Sequence, residues 1–396
     1  MVFLGLLGGF LFLLSGLGLL ALALQHAFLR AHLRHPLPSP PPPSQAPPIS
    51  ILKPLCGLDD ELEENLASFA RLDYPSYEVL LGVPSVGDKA FAVASRAVRR
   101  FPGRMRLVVQ RYHAGHNPKV NQLVGLARAA RHGLWVISDS NVRASPDYLS
   151  GIAAELCDRS VGLVTHPVVG AGEQRLGSVL ENLHLAGSVG PGMVAAPRLL
   201  RQPVVVGKSL ALWKRDLLRL GGFEAVQNVL AEDHLLGLLI REKLGKRIVV
   251  ARRPVVNVNR GRRVGEFWGR YARWSVLQKK LLGGPTYAAQ FLLNPVLLSL
   301  LGLLLRPDGG ALAAFLVVCL LKTLVDEKSA RALRQDGFAL RHLLLVPAKD
   351  LIFGAALLQG LLLDEVDWRG TRLRVLRGTR LAPARARDEG PLAARV

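Results

Sequence analysis

Hydrophobic residues gather towards the two ends of this chain and alternate with polar ones in between. Residues 2–24 are almost continuously apolar and long enough to cross a bilayer. A secretory signal is the rival reading, because Ala21-Leu22-Ala23 resembles a cleavage site. No Lys or Arg precedes the run and its apolar core exceeds the usual length of a signal, which favours an anchor. Residues 36–48 are rich in proline, unsuited to helix or central strand, and read as a stiff linker; a ligand for an SH3-type domain is the alternative. From residue 49 the pattern predicts strands at 49–52, 77–83, 106–110 and 134–137, with helices at 59–71, 89–99 and 118–131 between them. A strand over 161–169, a helix over 176–185, a glycine-rich passage at 187–192, a turn at 221–223 and a helix over 235–240 follow. Such alternation predicts an α/β domain with a parallel sheet covered on both faces, whose ligands bind at the carboxyl ends of the strands.

The chain turns apolar again after Trp274. Segments 287–305 and 311–325, joined by Arg306-Pro307-Asp308-Gly309, read as a membrane hairpin. The last apolar segment, 343–363, contains Pro347 and the pair Lys349-Asp350, which is costly in lipid. Arg369, Arg372, Arg374, Arg377 and Arg380 follow it, so both of its ends favour the same side and a re-entrant or interfacial helix is expected. The resulting division is a membrane helix (1–29), a proline-rich linker (30–48), an α/β domain (49–284), a membrane hairpin plus re-entrant or interfacial helix (285–363) and a basic tail (364–396).

Charge narrows the partners. The 396 residues carry a formal net charge of +21. A nucleic-acid surface needs a basic patch with interleaved aromatics, but the arginines here are scattered or flank apolar segments and aromatics are 6% of the chain. The charge therefore points to a membrane face, and nucleic acid is not an expected partner. Arg30 and Arg34 follow the first apolar run, and Lys328, Arg331, Arg334 and Arg341 the hairpin, which puts the middle of the chain in the cytoplasm. Cys56, Cys157 and Cys319 lie far apart without metal-ligand spacing, as suits a reducing compartment.

The candidate chemistry centres on Ala231-Glu232-Asp233-His234 and, some forty residues later, Arg270-Tyr271-Ala272-Arg273-Trp274. A carboxylate able to take a proton and a cationic cluster able to hold a leaving diphosphate are the two parts a sugar-transferring enzyme requires. Each part alone also fits an ordinary helix start and a solvated face. The strand ends read Lys53-Pro54-Leu55-Cys56-Gly57, Pro84-Ser85-Val86-Gly87-Asp88 and Ser138-Asp139-Ser140-Asn141. In the last, Asp139 and Asn141 offer hard oxygens suited to Mg²⁺ or Mn²⁺ bridging phosphates, with an Asx turn as the competing reading. Val204-Val205-Val206-Gly207-Lys208-Ser209 lacks the first glycine of a phosphate loop, leaving Lys208 as a structural or acceptor-side residue.

Several of these stretches together resemble the ceramide glucosyltransferases. They are Ile51-Leu52-Lys53-Pro54-Leu55-Cys56-Gly57-Leu58-Asp59, Leu72-Asp73-Tyr74-Pro75-Ser76-Tyr77-Glu78-Val79, Asn117-Pro118-Lys119-Val120-Asn121, the Asp139-Ser140-Asn141 element, Ala231-Glu232-Asp233 and the Arg-x-x-Arg-Trp cluster. Their order agrees from about Ile49 to Trp274, and the tail through Gly378-Thr379-Arg380-Leu381 agrees too. Cys56-Gly57, the Asp-Ser-Asn form and the tail look most similar to a bacterial branch, the hopanoid biosynthesis associated glycosyltransferases. The resemblance implies a GT-A fold of the family 2/21 kind, flanked by membrane helices and facing the cytoplasm at a bacterial inner membrane. It also implies a nucleotide-sugar donor, a divalent metal, a lipid acceptor and inversion at the anomeric carbon. N-acetylglucosamine from UDP-GlcNAc and bacteriohopanetetrol are the donor and acceptor it suggests, with glucosylation of ceramide or another lipid as the alternative. A non-catalytic protein that binds nucleotide sugar or lipid is the alternative from another class. Carried over, Asp233 is the general base, and Asp139 with Asn141 meets the metal. Arg270, Arg273 and Trp274 close over donor and acceptor, with Lys53, Lys119 and Asp88 on the donor side. The family's early acidic element departs here, since Ser85 stands where its first Asp is expected and only Asp88 is left for base or ribose recognition.

Overall fold

The structure is a computed structural model and describes residues 2–113, 115–200, 203–368 and 371–383. Four strands lead the catalytic domain: β1 (Ile49–Pro54), β2 (Tyr77–Val83), β3 (Met105–Val109) and β4 (Leu134–Ser138). Next come β5 (Val142–Arg143), β6 (Val161–Thr165), β7 (Val168–Ala171), β8 (Ser209–Trp213), β9 (Arg247–Val250) and β10 (Val255–Val258). The main sheet has the order β3-β2-β1-β4-β8-β6-β9. β1, β2, β3 and β4 pair in parallel; the apolar sequences of β1, β2 and β4 are buried on both faces, as crossover helices demand, while the edge strand β3 is half-buried after Met105. Ile49 and Ile51 enter the core beneath the helices Leu62–Ala70 and Lys89–Arg100, while Leu52 points the other way, towards Val120 and Leu123 of the helix Pro118–Ala129.

The sheet is mixed, not parallel as expected. β8 runs antiparallel to both β4 and β6. Its register sets Ser209 opposite Ser138, so the residues that precede β8 meet those that follow β4. The single strand expected over 161–169 is divided between two sheets. His166-Pro167 ends the main-sheet ladder, since proline has no N–H to offer it, and β7 joins a second sheet of order β5-β10-β7.

Among the described residues, three helices are long and apolar enough to cross a membrane: Val2–Arg34, Gly309–Arg334 and Leu340–Leu362. The first is longer than predicted, and near its end Leu29 is buried against Val169, Val194 and Leu333. The segment expected as one span over 287–305 is broken, Gly284–Leu293 and Pro295–Leu305 meeting at 80°. Asn294 accepts from the Leu297 amide at 3.1 Å and Pro295 opens the second helix, a local start signal that wins over continuity. Gly18 packs so closely on this bend that a Cβ there would stand 2.1 Å from the Leu292 carbonyl oxygen.

Lys349 and Asp350 do not face lipid. They are 0% and 3% exposed and form a ring with Lys322 and Asp326 of the neighbouring helix. Lys349 lies 2.8 Å from both Asp326 and Asp350, and Lys322 lies 2.6 Å from Asp326 and 3.3 Å from Asp350. Each charge has partners of the opposite sign, which removes the objection drawn from the pair in isolation.

The region expected as a basic tail is folded in its described part. β11 (Glu365–Trp368), β12 (Thr371–Val375) and β13 (Leu381–Pro383) make an antiparallel sheet. Val366, Leu373, Val375 and Leu381 bury themselves with Leu230 and Val276 of the catalytic domain. Arg369 and residues 384–396 of the expected tail lie outside the described residues.

Candidate active site

The carboxyl ends of β1 and β4 and the start of β8 converge on Asp139. The Asp139 amide donates to the Lys208 carbonyl at 3.3 Å, a contact that the β4–β8 register makes available. Lys119 lies 3.1 Å from Asp139 Oδ1, and Lys208 lies 3.1 Å from Asp139 Oδ2. Lys119 reaches the site from the first turn of the helix Pro118–Ala129, whose start is fixed by Asn117 accepting from the Lys119 and Val120 amides. The same ammonium is 3.0 Å from Glu232 Oε1. One cation thus ties the end of β4 to the start of the helix Glu232–Leu244. Burial works to raise the Asp139 carboxyl, but Lys119 and Lys208 outweigh it and hold Asp139 well below the ordinary carboxylate range.

Asp233 lies beside this cluster. Its Oδ2 accepts from the Gly207 amide and its Oδ1 from the His234 amide. Gly207 allows the approach, since a Cβ there would stand 2.7 Å from Lys119 Nζ and 3.0 Å from Asp233 Oδ2. Burial raises the Asp233 carboxyl above its ordinary value, opposed by Lys119. Burial raises Glu232 as well. Glu232 is 6% exposed and accepts from Asn117 Nδ2 at 3.2 Å, which fits it for support, with Asp233 the more open of the two.

Asp233, Asp139 and Lys119 are therefore brought together from the sequence-predicted set. Asn141 is adjacent but 2% exposed, and its Oδ1 accepts from Lys208 at 2.8 Å. Lys53 is fully buried, its ammonium donating to Ser138 Oγ at 3.2 Å and to the Asp139 carbonyl at 2.8 Å above the Phe69 ring. Burial lowers its pKa to about 7. In this position Lys53 braces the Asp139 backbone and has no surface to offer a diphosphate. Asp88 caps the helix Lys89–Arg100 by accepting from the Ala90 amide and also accepts from the Gly57 amide at 2.9 Å, so the same oxygen is committed to holding two loops.

Arg270, Arg273 and Trp274 lie on the helix Val264–Leu282. Arg270 pairs with Glu181, a fully buried carboxylate that also lies 3.2 Å from Arg262. Arg270 reaches Lys208 electrostatically: burial lowers the Lys208 ammonium, Asp139 raises it, and Arg270 pushes it down. Arg273 donates to the Asp367 carbonyl at 3.3 Å, and Trp274 sits edge-on to Tyr271 with ring centroids 6.1 Å apart. Arg270 is thus committed to the buried Glu181, whereas Arg273 reaches the C-terminal sheet.

Sequence reasoning left Lys208 as a structural or acceptor-side residue and not a partner of Asp139, gave Asn117 no role of its own, and did not single out Glu181. Lys208 carried a signal in its position just before a strand and after Gly207. Glu181 carried none, because its partners lie about ninety residues away in sequence. For a metal, Asp139 is the accessible hard donor, and among the described residues no group of three or more His, Cys, Asp or Glu stands ready for one. That donor set fits an ion of the Mg²⁺ type, which takes one or two carboxylates and fills its shell with phosphates and water.

An acidic β4 end, a carboxylate opening a helix beside it, cationic residues around both and this mixed sheet define a glycosyltransferase of the GT-A class. Residues 10–381 match glycosyl transferase family 21, and the chain belongs to that family. Ceramide glucosyltransferase 1 of Caenorhabditis elegans is 28% identical over 239 residues, 60% of this chain and 51% of that protein. A ceramide glucosyltransferase of Komagataella phaffii is 35% identical over 114 residues, 28% of this chain and 22% of that protein. The chain spans about half the length of the Caenorhabditis protein it matches. Among solved structures, a mannosyltransferase from Pyrobaculum calidifontis in complex with GDP-Man and Mn²⁺ superposes with a TM-score of 0.50 at 19% identity. The match covers 90% of this chain and 99% of that one, and it is a likeness of fold.

Proposed function

We propose that this protein is a membrane-embedded inverting glycosyltransferase that moves a sugar from a nucleotide-sugar donor to a hydroxyl of an amphiphilic lipid. The observation that carries the reading is the join made by Lys119, which touches both Asp139 and Glu232 and so sets the cationic donor site beside Asp233. Asp233 takes the proton of the acceptor hydroxyl as that oxygen forms its bond to the anomeric carbon, and the bond from that carbon to the diphosphate breaks. Lys119 and Lys208 meet the charge that develops on the departing diphosphate, with Arg270 adding positive charge behind them. A divalent ion held by Asp139 would add further neutralisation of that charge. A donor with an α-linked sugar then yields a β-glycoside. The acceptor comes from the bilayer, where the apolar helices beside the domain would hold its tail.

The named relatives favour ceramide or a similar lipid as acceptor and glucose as sugar. The Cys56-Gly57 and Asp139-Ser140-Asn141 elements and the tail favour the second reading, transfer of N-acetylglucosamine to a hopanoid such as bacteriohopanetetrol. For either, the basic residues flanking the apolar helices support a catalytic domain on the cytoplasmic side of a bacterial inner membrane. Intact-lipid mass spectrometry on cells with and without the gene separates the readings. A glycosylated lipid lost on deletion and restored by wild type, but not by Asp233→Asn, supports the enzyme and identifies its acceptor. An unchanged glycolipid profile argues for a protein that binds nucleotide sugar or lipid without turnover.

A further inference from the structure

The helix that carries Asp233 has no cap of its own. Its N-cap position is Ala231, which has no side-chain acceptor, although the next two residues are the carboxylates on which the site depends. The loop that leads into it is instead held from the far end of the chain. The Leu230 amide donates to the Thr379 carbonyl at 2.9 Å, and the Ala231 amide donates to Thr379 Oγ1 at 3.4 Å. The Leu381 amide donates to the Asn228 carbonyl at 2.7 Å, and Val229 forms an antiparallel bridge with Arg380. On its other side the same loop is held by Asn117, whose amide group donates to the Val229 carbonyl at 2.7 Å. Thr379 is fully buried and its backbone is left-handed, with φ of 56°. A β-branched residue adopts that conformation at a cost and persists in it only where its surroundings fix it.

We propose that Thr379 is a positioning residue for the transfer reaction, and that the sheet β11-β12-β13 acts as a strap fixing the loop 228–231 and so the placement of Asp233. The inference rests on reading Asp233 as the base. The strap reaches the other side of the site too. Arg273 donates to the Asp367 carbonyl at 3.3 Å, and Lys280 lies 2.7 Å from Asp364. The helix Val264–Leu282 and the Asp233 loop are thereby tied to one element, which follows directly on the last apolar helix.

The test uses the full-length protein in detergent. Thr379→Val keeps the shape and removes the acceptor oxygen, while Thr379→Ser restores the oxygen. Hydrogen exchange of the amides in 228–235 is measured together with kcat and donor KM. The valine variant is expected to exchange faster in that segment alone, with kcat down roughly tenfold, as the loss of one buried hydrogen bond allows. Donor KM stays within about twofold, and serine restores both readouts. Wild-type exchange in 228–235 in the valine variant overturns the proposal. So does faster exchange spread over β1 to β4, or a loss of kcat that serine does not rescue. If the wild-type protein transfers no sugar, the glycosyltransferase reading fails, while exchange in 228–235 still decides whether Thr379 holds the loop.

Discussion

Lys208 Nζ lies 3.1 Å from Asp139 Oδ2, on the opposite carboxylate oxygen from the one that Lys119 approaches. On the proposed reading this second ammonium meets the donor diphosphate, and its contact with Asp139 would be exchanged for the incoming phosphate. Replacing Lys208 by Met is expected to raise donor KM and lower kcat/KM by about 10- to 100-fold, the range for a charge-assisted hydrogen bond. Steady-state kinetics against donor concentration measures it. An unchanged donor dependence would remove Lys208 from the donor site.

Asp233→Asn keeps the contact with the Gly207 amide possible and removes the proton acceptor. Transfer is expected to fall by about 10²- to 10⁴-fold, the usual share of general-base catalysis. Donor affinity, followed by calorimetry with the nucleoside diphosphate, is expected to change little. Near-normal turnover in this variant would exclude Asp233 as the base.

The pH dependence follows from the direction of the Asp233 shift. Burial raises this carboxyl above its ordinary 3.8, and the base works only when ionised. Activity is therefore present above the raised value and is lost, as pH falls, earlier than for an exposed aspartate. Lys119 opposes the rise, so Lys119→Met is expected to move the acid limb of the kcat profile to still higher pH. A limb that stays put, or moves down, contradicts the assignment.

The ring of Lys322, Asp326, Lys349 and Asp350 makes a prediction about stability. Lys322→Met leaves two buried carboxylates sharing one ammonium, and an uncompensated buried charge costs about 3–5 kcal/mol. Removing an opposite pair together, as Lys322→Met with Asp350→Leu, is expected to cost less than the sum of the single changes. Thermal unfolding in detergent of the three variants reads the difference, and strict additivity would show that the four charges do not act as a unit.

Much of the main sheet was legible because β1, β2, β3 and β4 are short apolar runs separated by amphipathic helices, a pattern that local sequence states outright. β8 was not, since Ser209–Trp213 becomes a strand only through pairing with β4 and β6, and antiparallel insertion leaves no periodic mark. The motifs pointed to Asp139 and Asp233, and the β4–β8 register with Lys119 brings the two near each other. The isolation of Lys349-Asp350 misled because its partners, Lys322 and Asp326, lie on another helix. Lys53 and Asp88 stood at strand ends, where ligand contacts are expected, but burial and capping absorbed both. The tail carried a motif whose folding depends on Leu230 and Val276, far back in the chain.

The strap also fixes when the site can be complete during synthesis. Ala231 and the Thr379 side chain that meets it are 148 positions apart, with every apolar segment after the catalytic domain between them. At about 5–20 residues per second, the ribosome takes roughly 7–30 s to cover that distance. The nascent catalytic domain thus waits with its Asp233 loop lacking these hydrogen bonds until the later apolar helices have been made, and the finished site forms next to segments already delivered to the bilayer.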